Sequence, residues 1–582
     1  FILFAVITFF SNLWSATAMD WTSVFAEDGS EDLVIPRLMD KKQTTSRLTR
    51  LVSRVYHHHD HEYREEDEEL LDGHRLLDFP EEDTRGSTYS LRAVYYLSIN
   101  YILGVGCLGI PYAFARAGFV LCSLILLLVT LLSYMTVMWV AETGARFEQH
   151  CKRASELKTE QTNLLHHVNE LGGRQPRYEV IDLIQFYLGG FHKMIYQLSL
   201  MALMCIGLLA YSQVFCGAIA ALLPENGVLV GLPQLIFGIM VVPLSCMDLE
   251  EQLSMQSLMA AVRFVAIAVV VFGSLFALLV DGSHSFRDSP PFFATPEADG
   301  CKMSYVACFD GFGIAFSTCM FSQLFQHSIP GLLRPLSDQP QQLRKAPVTF
   351  AASLLTTSSF YFLLGLSAAS YFGAATRSSI NLNFADFAFG LDLTNLPHWK
   401  VIVLHLLSSV VVIFPALDTI SVFPLIANTL GNNLYASAGP GFIKSLAKWM
   451  VATEGRLRDG GWFHGPSTNE RYYALSIQER QKALEVSSKT SSILWRLVAA
   501  IPPLILSMVA SDLSFSFLLA GVAGIHVAFL APSLLQLKSH GLSNEKTMFH
   551  GWYSSRLLCY PVVAFATFSF CVVLIQIRDA VL

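Results

Sequence analysis

From Leu91 onward, long apolar runs alternate with short polar stretches, and the runs have the length of membrane crossings. A helix needs about 20 consecutive apolar residues to cross a bilayer. Eleven segments meet or approach that length: 92–115, 119–141, 188–222, 228–246, 254–280, 303–331, 347–372, 399–429, 492–510, 513–535 and 557–579. The pattern predicts an all-α polytopic membrane protein with about 11 transmembrane helices. Residues 19–90 contain no such run, and Arg64-Glu-Glu-Asp-Glu-Glu69 marks them as a solvated, mostly disordered acidic tail. The chain therefore divides into a cytoplasmic region, 1–90, and a transmembrane domain, 91–580. Long cytoplasmic loops are expected at 142–187 and 430–491. Within them 155–172 and 476–490 have helical character with mixed charge, as either regulatory or plain surface segments.

Two of the runs are interrupted by residues that weaken helices. Segment one holds Gly104, Gly106, Gly109 and Pro111 at its middle. Segment six begins with Gly311 and Gly313, ends near Pro330, and carries Ser317, Thr318, Ser322, Gln323, Gln326 and His327 between them. In hydrocarbon each freed backbone group costs several kcal/mol unless protein, ion or substrate satisfies it. Paired broken helices at corresponding places in two halves mark a mid-membrane site. Glycine also serves close helix packing, and taken alone the motif of segment one fits that reading equally.

Loop charge sets the orientation. Lysine and arginine crowd the connections after segments two, six, eight and ten, whereas the other side carries only Arg116, Arg287, Lys302 and Arg377. By the positive-inside rule the N-terminus is cytoplasmic and the C-terminus is on the far side. The composition agrees with membrane residence: 53% of residues are hydrophobic and only 15% charged, against about 25% charged in soluble domains. The net charge of −7 and the lack of a basic, aromatic-interleaved patch exclude a nucleic-acid partner. Lipid and a small solute remain as partners. Cys107, Cys122, Cys205, Cys216, Cys308, Cys319 and Cys571 read as small apolar packing residues, since no metal-ligand spacing occurs. His57-His-His-Asp-His61 is a polar tract rather than a metal site. The apolar start, Phe1–Phe10, is too short to span. It is either part of a signal peptide cleaved near Ala16-Thr-Ala18 or a stretch preceding a true initiator, Met19, and the loop charges favour the second.

The motifs resemble those of the amino acid/auxin permease family of eukaryotic amino-acid transporters. Asn100-x-x-x-Gly-x-Gly-x-Leu-Gly-Ile-Pro-Tyr-Ala-Phe114 is similar to that family's first span, and Phe321-Ser-x-x-x-Gln-x-x-Ile-Pro-x-Leu332 to its sixth, in the form found in the vesicular inhibitory amino acid branch. Tyr361-x-x-x-Gly365, Tyr371-Phe-Gly373, Ile380-Asn-Leu-Asn383, Phe414-Pro415 and Ala531-Pro-Ser-x-Leu535 follow in the family's order. The chain departs from the pattern at Ala510-Ser-Asp512, where glycine is usual, and in the length of 430–491.

The resemblance implies a five-plus-five inverted repeat, like that of bacterial sodium symporters, plus one extra helix. It also implies an amino-acid substrate, in the plasma membrane or an endomembrane, vacuole-like compartment. The freed amides around Gly104, Val105 and Gly106 are expected to hold a carboxylate. The carbonyls around Phe321, Ser322 and Gln323 are expected to accept from an ammonium. Tyr211 is either a lid over the substrate or an interfacial anchor. The coupling ion is a proton or sodium, with no other cofactor. Asn100 with Ser408 or Ser409 would serve sodium, and His327, or Asp310 at the start of segment six, would serve a proton. No carboxylate in segments one or eight stands out as a dedicated carrier. An enzyme is excluded by the lack of a nucleophile, carboxylate or metal constellation, Asp248-Leu-Glu-Glu251 being the nearest approach. A transporter-derived amino-acid sensor would share all of these features.

Overall fold

The computed structural model describes residues 90–162, 178–222, 231–247, 253–280, 306–336, 339–385, 387–391, 396–459, 472, 475–510, 512–542 and 546–581. The histidine tract, the acidic run and Asp248–Glu251 lie outside the described residues. Among those described, eight helices are long and apolar enough to cross a membrane, and the bent pair Leu91–Ile102 and Val105–Ala117 makes a ninth. Segment four is the helix Leu232–Cys246, only 15 residues long. Segment six is split into Phe312–Ser322 and Ile329–Leu333. An eleven-span count needs both of these to cross as well.

The helices are sided as membrane helices should be. On segment two, Leu124, Leu127 and Leu131 are exposed, whereas Thr130, Ser133 and Thr136 are buried. The apolar face therefore meets lipid and the hydroxyl face meets protein, where Thr130 and Thr136 donate to carbonyls of their own helix.

Two expected loops are in large part helix. Segment two continues to Thr162 and segment eight runs from His398 to Asp459. Segment nine starts at Ile477, where Ser476 and Glu479 form a reciprocal capping box. Mixed charge suggested loops because hydropathy registers only the stretch inside hydrocarbon, and a helix leaving the bilayer has no need to stay apolar. The extensions of segments eight and nine pack on each other. Ser487 donates to the carbonyl of Ile443 at 2.8 Å, and Tyr435 and Ser488 share a hydrogen bond of 2.8 Å. A Cβ at Gly431 would lie 2.6 Å from the Cα of Arg496, so the two backbones cross in near contact. At the end of segment two, buried Arg146 donates to Glu142 at 2.6 Å and to Ser539 at 2.7 Å, tying segments two and ten.

One cysteine differs from expectation. Cys308 is disulfide-bonded rather than a free packing residue, whereas the nine other described cysteines are free.

Candidate functional site

The site grows from the two breaks. The first half of segment one ends at Ile102, and Gly104 is extended, with φ −104° and ψ −165°. The chain then re-enters helix through a 3-10 turn, Val105–Gly109, and an α-helix, Ile110–Ala117, bent by 50° from the first half. Pro111 sits in the first turn of that second half, where its missing N–H breaks no ladder. Segment six stops at Ser322, loses helical form over Gln323–Phe325 and restarts beyond a short 3-10 turn.

The two breaks touch. A Cβ on Gly106 would lie 2.6 Å from Ser322 Oγ, 3.1 Å from Ser322 Cα and 3.2 Å from the Phe321 ring. Tyr361 of segment seven binds both breaks at once: its hydroxyl lies 2.9 Å from the carbonyl of Ile102 and 3.0 Å from that of Ser322. The Ser322 carbonyl has lost its helical partner, and the Ile102 carbonyl keeps only the Gly104 N–H at 2.9 Å, so the single phenol O–H is shared between the two broken ends. Gly365, one turn further on, leaves room for the Phe114 ring, which a side chain there would strike. Tyr211 of segment three closes the other side. It is buried, it faces the backbone of Val105, and its hydroxyl would lie 3.3 Å from a Cβ on Gly104.

A buried ion pair completes the site. Arg263 of segment five donates to Asp418 Oδ1 of segment eight at 2.6 Å, with the side chains only 6% and 9% exposed. The same guanidinium donates to the carbonyl of Leu103, at the broken end of the first half-helix, and to Asn100 Oδ1 at 3.3 Å. A half-helix C-terminus carries partial negative charge and favours a cation. Gly104, Val105, Arg263, Phe414, Asp418 and Thr419 line a cavity of about 10 Å³ here, the size of one water molecule.

The expected site residues separate into two groups. Asn100, Gly104, Val105, Gly106, Tyr211, Phe321 and Ser322 come together at the breaks. The Gln323 side chain instead donates to Thr130 of segment two at 2.9 Å, leaving only its backbone near the break. Ser408 donates to the carbonyl of Phe387 at 2.8 Å. Ser409 is half-exposed. Segment eight meets the cavity through Phe414, Pro415, Asp418 and Thr419, beyond both serines. His327 lies just past the break of segment six, with its Nδ1 buried and unpartnered. Asp310 is exposed at the far end of that segment.

A family model described as transmembrane amino acid transporter protein matches residues 87–578. The chain belongs to this family. Human transmembrane protein 104 is 23% identical over 406 residues, covering 60% of this chain and 75% of that protein. The Drosophila melanogaster homolog of transmembrane protein 104 is 21% identical over 426 residues, covering 60% of this chain and 76% of the homolog. The Dictyostelium discoideum homolog is 42% identical over 57 residues, 10% of this chain and 11% of its own length. The protein is thus an integral multi-pass membrane protein of an amino-acid transporter family, not an enzyme. These relatives do not place it in the vesicular branch.

Three of the residues that build the site escaped the sequence reading. Arg263 is the one charged residue between Ser254 and Val280, and Asp418 the one carboxylate between Trp399 and Thr429. Asp418 is a buried carboxylate of segment eight, where no carboxylate stood out from the sequence as a dedicated carrier. Intramembrane charges are costly and signal function, so the mark was present in each segment. What pairs them is a contact 155 residues apart in the chain. Tyr361 was noted only for its place in a motif.

Proposed function

We propose that this chain carries free amino acids across its membrane by alternating access around the paired breaks, driven by a proton gradient. The observation that carries the reading is the meeting of the breaks: Gly106 lies against Ser322, and Tyr361 holds Ile102 and Ser322 together. A zwitterion needs donors for its carboxylate and acceptors for its ammonium within a few ångströms of each other. The amides of Val105 and Gly106 supply the first, with the dipole of the second half-helix aligned behind them. The carbonyls of Phe321 and Ser322 supply the second, and Tyr211 covers the pair. With about 10 Å³ free beside the break, substrate must enter through movement of one half of the fold against the other, as inverted-repeat transporters do.

The eleven-span topology with a cytoplasmic N-terminus belongs to the same proposal. So does proton coupling, supported by the vesicular-type motif in segment six and by two titratable groups at the breaks, His327 and Asp418. The test is uptake into proteoliposomes of the purified full chain, using a mixture of labelled amino acids. Uptake should follow an imposed pH gradient and ignore an imposed sodium gradient. Uptake that follows sodium and ignores pH would overturn the coupling. Saturable binding with no flux would replace the transporter by a sensor.

A further inference from the structure

The end of segment two carries a buried guanidinium that its own protein satisfies only in part. Arg146 is 1% exposed, and a guanidinium has five N–H groups, none of which can accept. Four of them reach acceptors. Nη1 donates to Gln536 Oε1 at 3.2 Å and to Ser539 Oγ at 2.7 Å, and Nη2 reaches Glu142 Oε1 at 2.6 Å and His540 Nε2 at 3.1 Å. The fifth, on Nε, is buried and has no partner. Two hydroxyls on the surrounding elements share that condition. Thr143, one turn earlier on the same helix, is buried and bonds no carbonyl of its own helix, as Thr130 does. Tyr187, on the helix Val180–Leu188, lies close enough to Arg146 for each to feel the other's charge, and its buried hydroxyl is also unpartnered. Buried polar groups left without a partner are uncommon, and each calls for a physical reason. What these three lack in common is an acceptor from outside the chain. We propose that a small monovalent anion binds here, between segment two and the helix Val180–Leu188, held by Arg146 Nε, Tyr187 and Thr143.

Charge favours an anion over a water at this place. The charged groups that Arg146 feels are Glu142 and Arg556. Glu142 cancels the charge of Arg146, and Arg556, in the connection before segment eleven, contributes a second positive charge. Glu142 is also turned towards other donors: its Oε1 accepts from Arg146 and lies 3.4 Å from His550, and its Oε2 accepts from Gln536 at 2.8 Å. A chloride accepts from all three open donors at once, whereas a water brings two hydrogens that need acceptors of their own. The network meets solvent at His550, whose side chain is 38% exposed, and this gives an ion a way in. Once bound, the anion joins the helix Val180–Leu188 to the Arg146 group, which already ties segment two to segment ten. Stability then follows the anion supply, as it does for any ligand that binds only the folded state. The site uses none of the residues at the breaks and stands whether or not the chain carries amino acids.

The experiment is thermal unfolding of the purified full chain in sodium chloride and in sodium gluconate at matched ionic strength, gluconate being too large for a buried seat. Wild type should melt at least about 2 °C higher in chloride, with the gain saturating as chloride rises, as ligand linkage requires. Tyr187→Phe keeps the ring and removes the hydroxyl. The chloride needed for half of the gain should rise about fivefold, the usual effect of one lost hydrogen bond. Thr143→Val should act in the same direction. Arg146→Lys keeps a cation but has no Nε donor or planar fork, and should abolish the gain. Where that variant does not fold, the two hydroxyl variants decide. Equal melting of wild type in the two salts would overturn the proposal and leave a bound water only. A chloride gain that Tyr187→Phe and Thr143→Val both keep undiminished would also overturn it, since the anion would then bind elsewhere.

Discussion

At the scale of single residues, the site depends on atoms that are absent as much as on those present. Gly106 has no Cβ, and Ser322 occupies the space one would need. Gly106→Leu should therefore abolish amino-acid flux while membrane insertion and expression stay normal, since added apolar bulk favours insertion; uptake assays and surface or membrane fractionation check both halves. Tyr361 is the opposite case, a single hydroxyl serving two carbonyls. Tyr361→Phe leaves the Ser322 carbonyl without that donor, while the Ile102 carbonyl keeps the Gly104 N–H, at a cost of about 1–3 kcal/mol. The expected result is a lower melting temperature in detergent together with slower flux. A variant as stable and as fast as wild type would remove Tyr361 as the link between the breaks.

At the scale of elements, the sequence was most legible where local chemistry decides structure. The break in segment one follows from Gly104, Gly106 and Pro111, and that in segment six falls where its polar residues cluster. Charge on a hydropathy profile was less legible. A lone arginine or aspartate barely dents the average of an apolar run, so Arg263 and Asp418 passed unnoticed although the bilayer makes each expensive. Their partners become visible only when segments five and eight are packed together. The helical extensions of segments two and eight were hidden for the converse reason, since polarity there reflects exposure to water rather than loop structure. Their packing also yields a prediction. At Gly431 the backbone of Arg496 approaches so closely that a methyl group must displace it. Gly431→Ala should lower stability by about 1–3 kcal/mol, the usual cost of overpacking, with little effect on the membrane breaks. Melting of the purified variant checks this, and an unchanged melting temperature would argue against the close crossing.

At the scale of the whole molecule, the proposed orientation rests on loop charge. Lysine and arginine crowd the connections after segments two, six, eight and ten, which the positive-inside rule assigns to the cytosol. A cysteine introduced at position 470, on a background cleared of other reactive cysteines, should be labelled only from the cytosolic face. Labelling from the opposite face would invert or break the topology.

The central claim is that the paired breaks form a path for amino acids. Counterflow tests it without assuming a driving ion: proteoliposomes containing the purified full chain are loaded with unlabelled amino acids and given trace label outside. The account predicts label accumulating transiently in wild-type vesicles and not in vesicles bearing Gly106→Leu. Wild-type vesicles that accumulate no label for any amino acid, or Gly106→Leu vesicles that accumulate it normally, would contradict the account.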